Sequence, residues 1–144
     1  MIYDNLNQLF KGLAKELEAT MNDQVEKVAR KKLKENVVEE VYDRYTPSQY
    51  VRTGGLLQDS NIKSDVSTKG SDVELNVRSI RSEDGKDIAQ IIETGRGYSW
   101  ESSEIARSKT PRPFHAKTEE ELASTGEHIQ AIKNGLKQRG IDVI

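Results

Sequence analysis

Residues 2–45, IYDNLNQLFKGLAKELEATMNDQVEKVARKKLKENVVEEVYDRY, carry apolar side chains at steps of three and four residues. Such steps place the side chains on one stripe of a helix, with lysine and glutamate on its other faces. The stripe consists of Leu6, Leu9, Phe10, Leu13, Leu17, Met21, Val25, Val28, Val37, Val41 and Tyr45. The pattern predicts a helix over residues 2–45. It ends before Pro47, because the α region is disfavoured for a residue that precedes proline.

The predicted helix is long for a chain of this size. At about 1.5 Å per residue it spans roughly 60 Å, which exceeds the diameter of a compact domain of this mass. The helix must therefore break, or one end must project and find a partner. The candidate for a break is the segment 20–23, because Asp23 followed by Glu26 three residues later matches a capping box that would start a second helix.

A β-hairpin is expected after the helix. Residues 46–60 form a predicted connector, and two strands follow over 61–68 and 72–80. Apolar residues alternate with polar ones in the second strand, as in a strand with one buried and one solvated face. These apolar residues are Val73, Leu75 and Val77. The turn is predicted at 69–71, where glycine and serine suit a tight hairpin connection.

The remaining chain predicts a third strand and a final helix. The segment 87–94, DIAQIIET, is short and rich in β-formers and favours a strand, with a short helix as the alternative. A long loop is expected over 95–117, and a helix over 118–139, with Thr118 and Glu121 as its capping box. We therefore expect one α+β domain over the whole chain. Its long N-terminal helix and C-terminal helix pack on a small, mainly antiparallel sheet of three to four strands.

The composition indicates a globular chain with a thin core. Of its 144 residues 34% are hydrophobic and 32% are charged, against typical values of about 45–50% and 25%. A thin core favours burial against partners. The formal net charge of −2 is not typical of a general nucleic-acid binder. The absence of cysteine excludes disulfides and thiol chemistry. We expect neither a membrane span nor a signal peptide, because no apolar run is long enough.

The sequence contains none of the common catalytic motifs, such as GxSxG, HExxH or a glycine-rich phosphate loop. We therefore expect no enzymatic activity, no catalytic residues, no bound metal and no cofactor. Two alternatives remain open. One is a small metal-dependent nuclease or toxin-like enzyme that uses Arg52, Glu93 and His115. The other is a module that contacts nucleic acid through the basic loop 105–117, which holds Arg107, Lys109, Arg112 and Lys117 and no acidic residue.

Three short motifs occur in a fixed order between the two long helices. They are Y-x-R-T-G-x-L at 50–56 with a serine four residues later, I-I-E-x-G at 91–95, and R-P-F at 112–114. Their residues are Pro47, Tyr50, Arg52, Thr53, Gly54, Leu56, Ser60, Ile92, Glu93, Gly95, Pro113 and Phe114. In this order and spacing, over nearly the whole chain, the sequence resembles the minor tail-component family of long-tailed phages. This family is also described as tail-completion, neck or head–tail joining proteins, or as gene-product-ten-like.

The resemblance implies a non-enzymatic structural protein of a phage or prophage. It would act in the head–tail connector, the neck or tail completion, through contacts with other neck, connector or tail proteins. A homo-oligomeric ring in the particle is expected, with a monomer when free, transient contact with passing DNA, and no contact with a membrane. The protein would assemble in the host cytoplasm and reside in the virion. The expected interface residues are Tyr50, Arg52, Thr53, Gly54, Leu56, Trp100, Arg107, Lys109, Arg112 and Phe114.

The substitution Arg52→Ala tests the connector. Arg52 lies between the helix end at Pro47 and the turn at Gly54, at a corner of the predicted domain. As an interface residue, it can be replaced with little change in the melting midpoint, but particles stall as separate heads and tails. As an anchor of its own loop, it is worth about 1.5–3 kcal/mol of unfolding free energy. Thermal unfolding and electron microscopy distinguish the interface role from the anchor role. If the substitution alters neither the melting midpoint nor the joining of heads and tails, both roles are contradicted.

Overall fold

The computed structural model describes residues 4–43, 54–70, 72–83, 85–96 and 111–143. The regular elements are α1 (Leu6–Thr20), α2 (Glu26–Val37), β1 (Ile62–Lys69), β2 (Asp72–Ser79), β3 (Ser82–Glu83), β4 (Lys86–Asp87), α3 (Ile88–Thr94), α4 (Phe114–Thr125) and α5 (Glu127–Gln138). Two π-helical turns, Met21–Val25 and Val38–Tyr42, and two 3-10 turns, Gly55–Leu57 and Asp59–Asn61, accompany them. The predicted α+β class is confirmed, with helices at both ends of an antiparallel hairpin.

The helix predicted near the N-terminus is present and unbroken from Leu6 to Tyr42, and we call this run the long helix. The expected break at residues 20–23 does not occur, and no capping box forms at Asp23, because the backbone there continues as a π-helical turn. The N–H of Glu26 donates to the carbonyl oxygen of Met21, five residues earlier. The predicted end of the helix near Pro47 lies outside the described residues.

The first π-helical turn keeps the buried side of the long helix in register. Thr20 is 0% and Val25 5% exposed, although they lie five residues apart. In a regular α-helix of 3.6 residues per turn, a step of five rotates a side chain away from its starting face. A turn closed by i to i+5 hydrogen bonds accommodates the extra residue. Both side chains therefore remain on the side that packs against the rest of the chain.

The predicted hairpin is confirmed. Strand β1 pairs antiparallel with β2, from Ile62 opposite Ser79 to Lys69 opposite Asp72. Gly70 in the connection has φ +60°, a conformation that favours glycine, as tight hairpin turns require.

Arg30 fastens the hairpin to the long helix. Its Nη1 donates to the carbonyl oxygens of Asp59 at 3.2 Å and Ile62 at 3.1 Å, and its Nη2 donates to Ser64 Oγ at 2.9 Å. Its Nε forms an ion pair with Glu26 Oε1 at 2.6 Å, which orients the guanidinium. A planar guanidinium with several donors suits such a cluster of fixed acceptors.

The prediction of one sheet with three to four strands is wrong. The described residues form two separate two-stranded sheets, β1 with β2 and β3 with β4. The segment predicted as a third strand is the helix α3. The Asp87 side chain caps it by accepting the N–H of Gln90, and Gly95 ends it at φ +72°. Its buried residues Ala89 and Ile92 are three apart, the spacing of a helix face rather than a strand face.

The final helix also differs from its prediction. It begins at Phe114 rather than at Thr118, and Gly126, at φ +69°, divides it into α4 and α5. The Thr118 side chain does not cap a helix. It donates to the carbonyl oxygen of Phe114 at 2.7 Å and accepts from Asn36 Nδ2 at 3.2 Å, so it joins α4 to the long helix.

The main core lies around the C-terminal half of the long helix. It consists of Leu33, Val37, Val41, Leu56, Ile62, Ala89, Ile92 and Phe114. Full burial of one such side chain contributes roughly 1.5–3 kcal/mol. At the other end of the long helix, Leu6 is 68% and Phe10 60% exposed. One end of the long helix is therefore left largely uncovered by the described residues.

A close helix crossing holds α5 against the first half of the long helix. A Cβ at Gly135 would lie 2.5 Å from Thr20 Cγ2 and would also meet Gln24 Oε1. Thr20 is fully buried and β-branched, so it cannot move aside easily. The crossing therefore depends on the absence of a side chain at position 135.

The substitution Gly135→Leu is expected to lower the unfolding free energy by about 2 kcal/mol or more, because overpacking costs exceed the gain in helix propensity. Urea unfolding measures the change. Asn134→Leu, at the exposed neighbouring position, is the control and is expected to remain within about 0.5 kcal/mol of the wild type. Equal effects of the two substitutions would contradict the close crossing.

Candidate functional site

The predicted interface residues divide into two groups. Tyr50, Arg52, Thr53, Trp100, Arg107 and Lys109 lie outside the described residues, and their role stays a prediction. Four are described. Gly54 has φ +73° and begins the turn Gly55–Leu57. Leu56, Arg112 and Phe114 are 4%, 6% and 0% exposed, so their side chains are buried within the chain.

Two of the three motifs meet at the start of α4. The Glu93 carboxylate, near the end of α3, accepts the backbone N–H of His115 at 2.8 Å and of Ala116 at 3.0 Å. The backbone N–H of Arg112 donates to the carbonyl oxygen of Ile92 at 2.9 Å. Glu93 therefore supplies the N-terminal cap of α4 that the sequence assigned to Thr118, and it does so from another helix.

The Glu93 carboxyl is held in its charged form. Partial burial raises its pKa, but hydrogen bonds from the His115 ring and from the N–H groups of Ala116 and His115 outweigh this effect and lower the pKa below its usual value. The positive end of the α4 dipole favours the same charge.

His115 connects this cap to the hairpin. Its Nδ1 lies 3.1 Å from Glu93 Oε2, and its Nε2 accepts the backbone N–H of Ser79 at 2.9 Å. These partners assign the proton to Nδ1 in a neutral ring. Both ring nitrogens are thus used to join α3, α4 and β2.

The arrangement brings together two of the three residues of the enzyme alternative, Glu93 and His115, while Arg52 lies outside the described residues. A general base needs a free acceptor within reach of a substrate proton. Here the acceptor nitrogen of His115 faces a backbone N–H, and the carboxylate of Glu93 caps a helix. The geometry is that of a structural joint.

Asn36 is a second joint, which the sequence prediction missed. It is 1% exposed, and its Nδ2 donates to Thr118 Oγ1 at 3.2 Å and to Glu121 Oε2 at 3.3 Å on α4. Its position three residues after Leu33 lies on the buried stripe, which is the signal that could have identified it.

An open cleft of about 950 Å³ lies between the long helix, β2 and the two last helices. Its apolar lining includes Met21, Val25, Leu33, Leu75, Val77, Leu122 and Ile132, and its polar lining includes Arg78, Lys86, Asp87, His115, Glu119 and His128. Apolar clefts with a few polar groups are typical of binding sites. The cleft and the exposed start of the long helix are therefore the two candidate contact surfaces among the described residues.

The described residues form neither a membrane-spanning helix nor a cluster of metal-ligating side chains. No helix among them is long and apolar enough to cross a membrane. No three or more histidine, cysteine, aspartate or glutamate residues in that part of the chain lie close enough together to hold a metal ion.

Glu93→Gln is expected to lower the unfolding free energy at pH 7 by about 1–2 kcal/mol, because the amide retains one oxygen for two helix N–H groups. The difference from the wild type should shrink as the pH falls. The carboxylate with the lowered pKa stabilises the fold fully above the unfolded value of about 4.3, and this contribution is lost as the pH falls from that value through the lowered pKa of the folded state.

Urea unfolding at several pH values between about 7 and 3.5 measures both effects around that pKa. Glu119→Gln, at an exposed position of α4, the helix that Glu93 caps, is the control and should change stability by less than about 0.5 kcal/mol. A difference between Glu93→Gln and wild type that is independent of pH would contradict the charged cap.

Comparison with known proteins identifies the family. The sequence model of the YomN family matches residues 5–138. The SPbeta prophage-derived uncharacterized protein YomN of Bacillus subtilis (strain 168) is 38% identical over 117 residues, which cover 81% of this chain and 79% of that protein. No solved structure matches the chain. Since the family match spans most of the chain and the relative is similar over most of both lengths, the chain belongs to the YomN family of prophage proteins.

Proposed function

We propose that the protein is a non-enzymatic structural component of a phage particle, which acts at the head–tail connector, in the neck or in tail completion. It works through protein–protein contacts in several copies, together with other neck or tail proteins. Membership of a prophage family supports a phage role, and the order of the three motifs supports the finer assignment.

The observation that carries the proposal is the uncovered end of the long helix. Leu6, Phe10 and Leu13 are 68%, 60% and 37% exposed within two turns of one helix. A contiguous exposed apolar face on a soluble chain is typical of a surface that another protein covers. Such an exposed face is expected for a subunit whose apolar surface is buried by neighbouring proteins in an assembly.

The absence of enzymatic activity remains part of the proposal. It is supported by the state of Glu93 and His115, whose polar atoms bind backbone N–H groups and each other. The alternative of a nucleic-acid module has lost support at one position, because Arg112 is 6% exposed and does not present its charge to a passing duplex. Transient DNA contact through Arg107 and Lys109 stays a prediction.

Deletion of the gene from the phage or prophage that encodes the chain is expected to yield DNA-filled heads and tails that remain separate after induction. Electron microscopy of the lysate shows this directly, and mass spectrometry should detect the protein in purified wild-type particles. Restoration of joined particles by the wild-type gene supplied in trans is the control.

Normal joined particles from the deletion strain, or purified wild-type particles that lack the protein, would overturn the assignment. Incubation of the purified protein with DNA and a divalent cation tests the enzyme alternative. Cleavage that Glu93→Ala abolishes while the protein remains folded would replace the structural role with a nuclease.

A further inference from the structure

The apolar face at the start of the long helix has the spacing of a coiled-coil seam. Leu6, Phe10, Leu13, Leu17 and Thr20 follow one another at steps of four, three, four and three residues. These are the steps of the a and d positions of a heptad. The exposed fraction falls along the seam, from 68% at Leu6 to 0% at Thr20.

The buried end of the seam is already a helix–helix interface within the subunit. Thr20 packs against Gly135 of α5, and Arg139, just after α5, forms an ion pair with Glu16 at 3.6 Å. Helix α5 ends at Gln138, which accepts a hydrogen bond from Gln24, and beyond it the Arg139 side chain reaches Glu16. The exposed part at residues 6–13 continues the same interface beyond the end of its intramolecular partner.

The charges of this part of the helix lie away from the seam. With about 100° between successive residues, Lys11 and Lys15 lie on the side of the helix opposite the middle of the seam. Of the flanking positions, Asn7, Leu9 and Ala14 are uncharged, and Glu16 is paired with Arg139 within the chain. Such a face can meet an identical face without repulsion between like charges.

We propose that residues 6–13 of the long helix are a self-association surface, which packs against the same residues of a second copy of this chain. An uncharged a/d seam is self-complementary, because the side chains of each helix fit between those of the other. The occupant is therefore another copy, and a different phage protein is the competing outcome of the test. This inference rests on the proposed function in part, since it names the surface through which copies of the structural protein would join.

The contact is expected to be weak in isolation. The exposed seam is shorter than the three to four heptads of a self-sufficient coiled coil and falls below the roughly 800 Å² per partner of a standard interface. It therefore adds to other contacts where many copies are held together. In dilute solution the chain is expected to be largely monomeric.

The absence of cysteine makes crosslinking a clean test, since one introduced cysteine is the sole thiol of the chain. Under a mild oxidant at high concentration, Phe10→Cys should form a disulfide-linked dimer several-fold faster than Lys15→Cys. Both positions are exposed on the same helix, and only the first lies on the seam. Phe10→Glu should also weaken the concentration-dependent association of the otherwise unchanged chain in sedimentation experiments, whereas Lys15→Glu should not.

Equal crosslinking rates at positions 10 and 15, or no dimer from either, would overturn the inference. Crosslinking of the Phe10→Cys variant to another protein of the particle, but not to a second copy of the chain, would also overturn the inference. Circular dichroism confirms that each variant is folded. Seam-specific dimers together with normal particles from the gene deletion would leave the surface in place and refute the assembly role. Stalled particles without seam-specific dimers would support the assembly role and refute the self-association surface.

Discussion

The length of the long helix is the constraint on which the rest of the structure depends. From Leu6 to Tyr42 it extends about 55 Å without a break, and the other described elements pack along it. The core lies around its C-terminal half, together with α3 and α4, the hairpin runs beside it from Arg30 back to Glu18, and α5 packs against its first half at Thr20. A chain with 34% hydrophobic residues does not supply enough apolar surface to cover the long helix over its full length. The uncovered end follows from this imbalance.

Polar contacts between elements fix the positions of the other elements on the long helix. Arg30 binds the carbonyl oxygens before and within β1, Asn36 reaches α4, and Glu93 with His115 ties α3, α4 and β2 together. Apolar packing alone is non-directional and tolerates sliding. Hydrogen bonds to fixed acceptors define a single arrangement, because a displaced partner would leave a buried polar group unsatisfied. The apolar core and the polar joints therefore have different roles in the same fold.

The parts of the fold that could be predicted from sequence are those with a sustained local period. The long helix and the hairpin each repeat their pattern over several residues, and both are present. The pattern of the segment 87–94 does not distinguish a strand from a helix, because its short apolar run fits the period of both. The cap at Asp87 and the end at Gly95 make the segment a helix. The start of α4 was missed because its cap, Glu93, lies 22 residues before His115. The burial of Leu56 and Phe114 could not be predicted, because motif residues of that type occur in cores and in contact surfaces alike.

The first π-helical turn, Met21–Val25, has a consequence for how the family can vary in length. It holds one residue more than a regular α-helical turn, and the buried side of the helix stays aligned across it, from Thr20 to Val25. A homologue that lacks one residue within Met21–Val25 can form an ordinary turn there and keep every contact on both sides. A deletion elsewhere in the long helix would rotate all preceding side chains by about 100° about the helix axis, and they would lose their contacts. Single-residue gaps in an alignment of this helix should therefore collect at Met21–Val25, where a residue can be inserted or removed with little loss of stability.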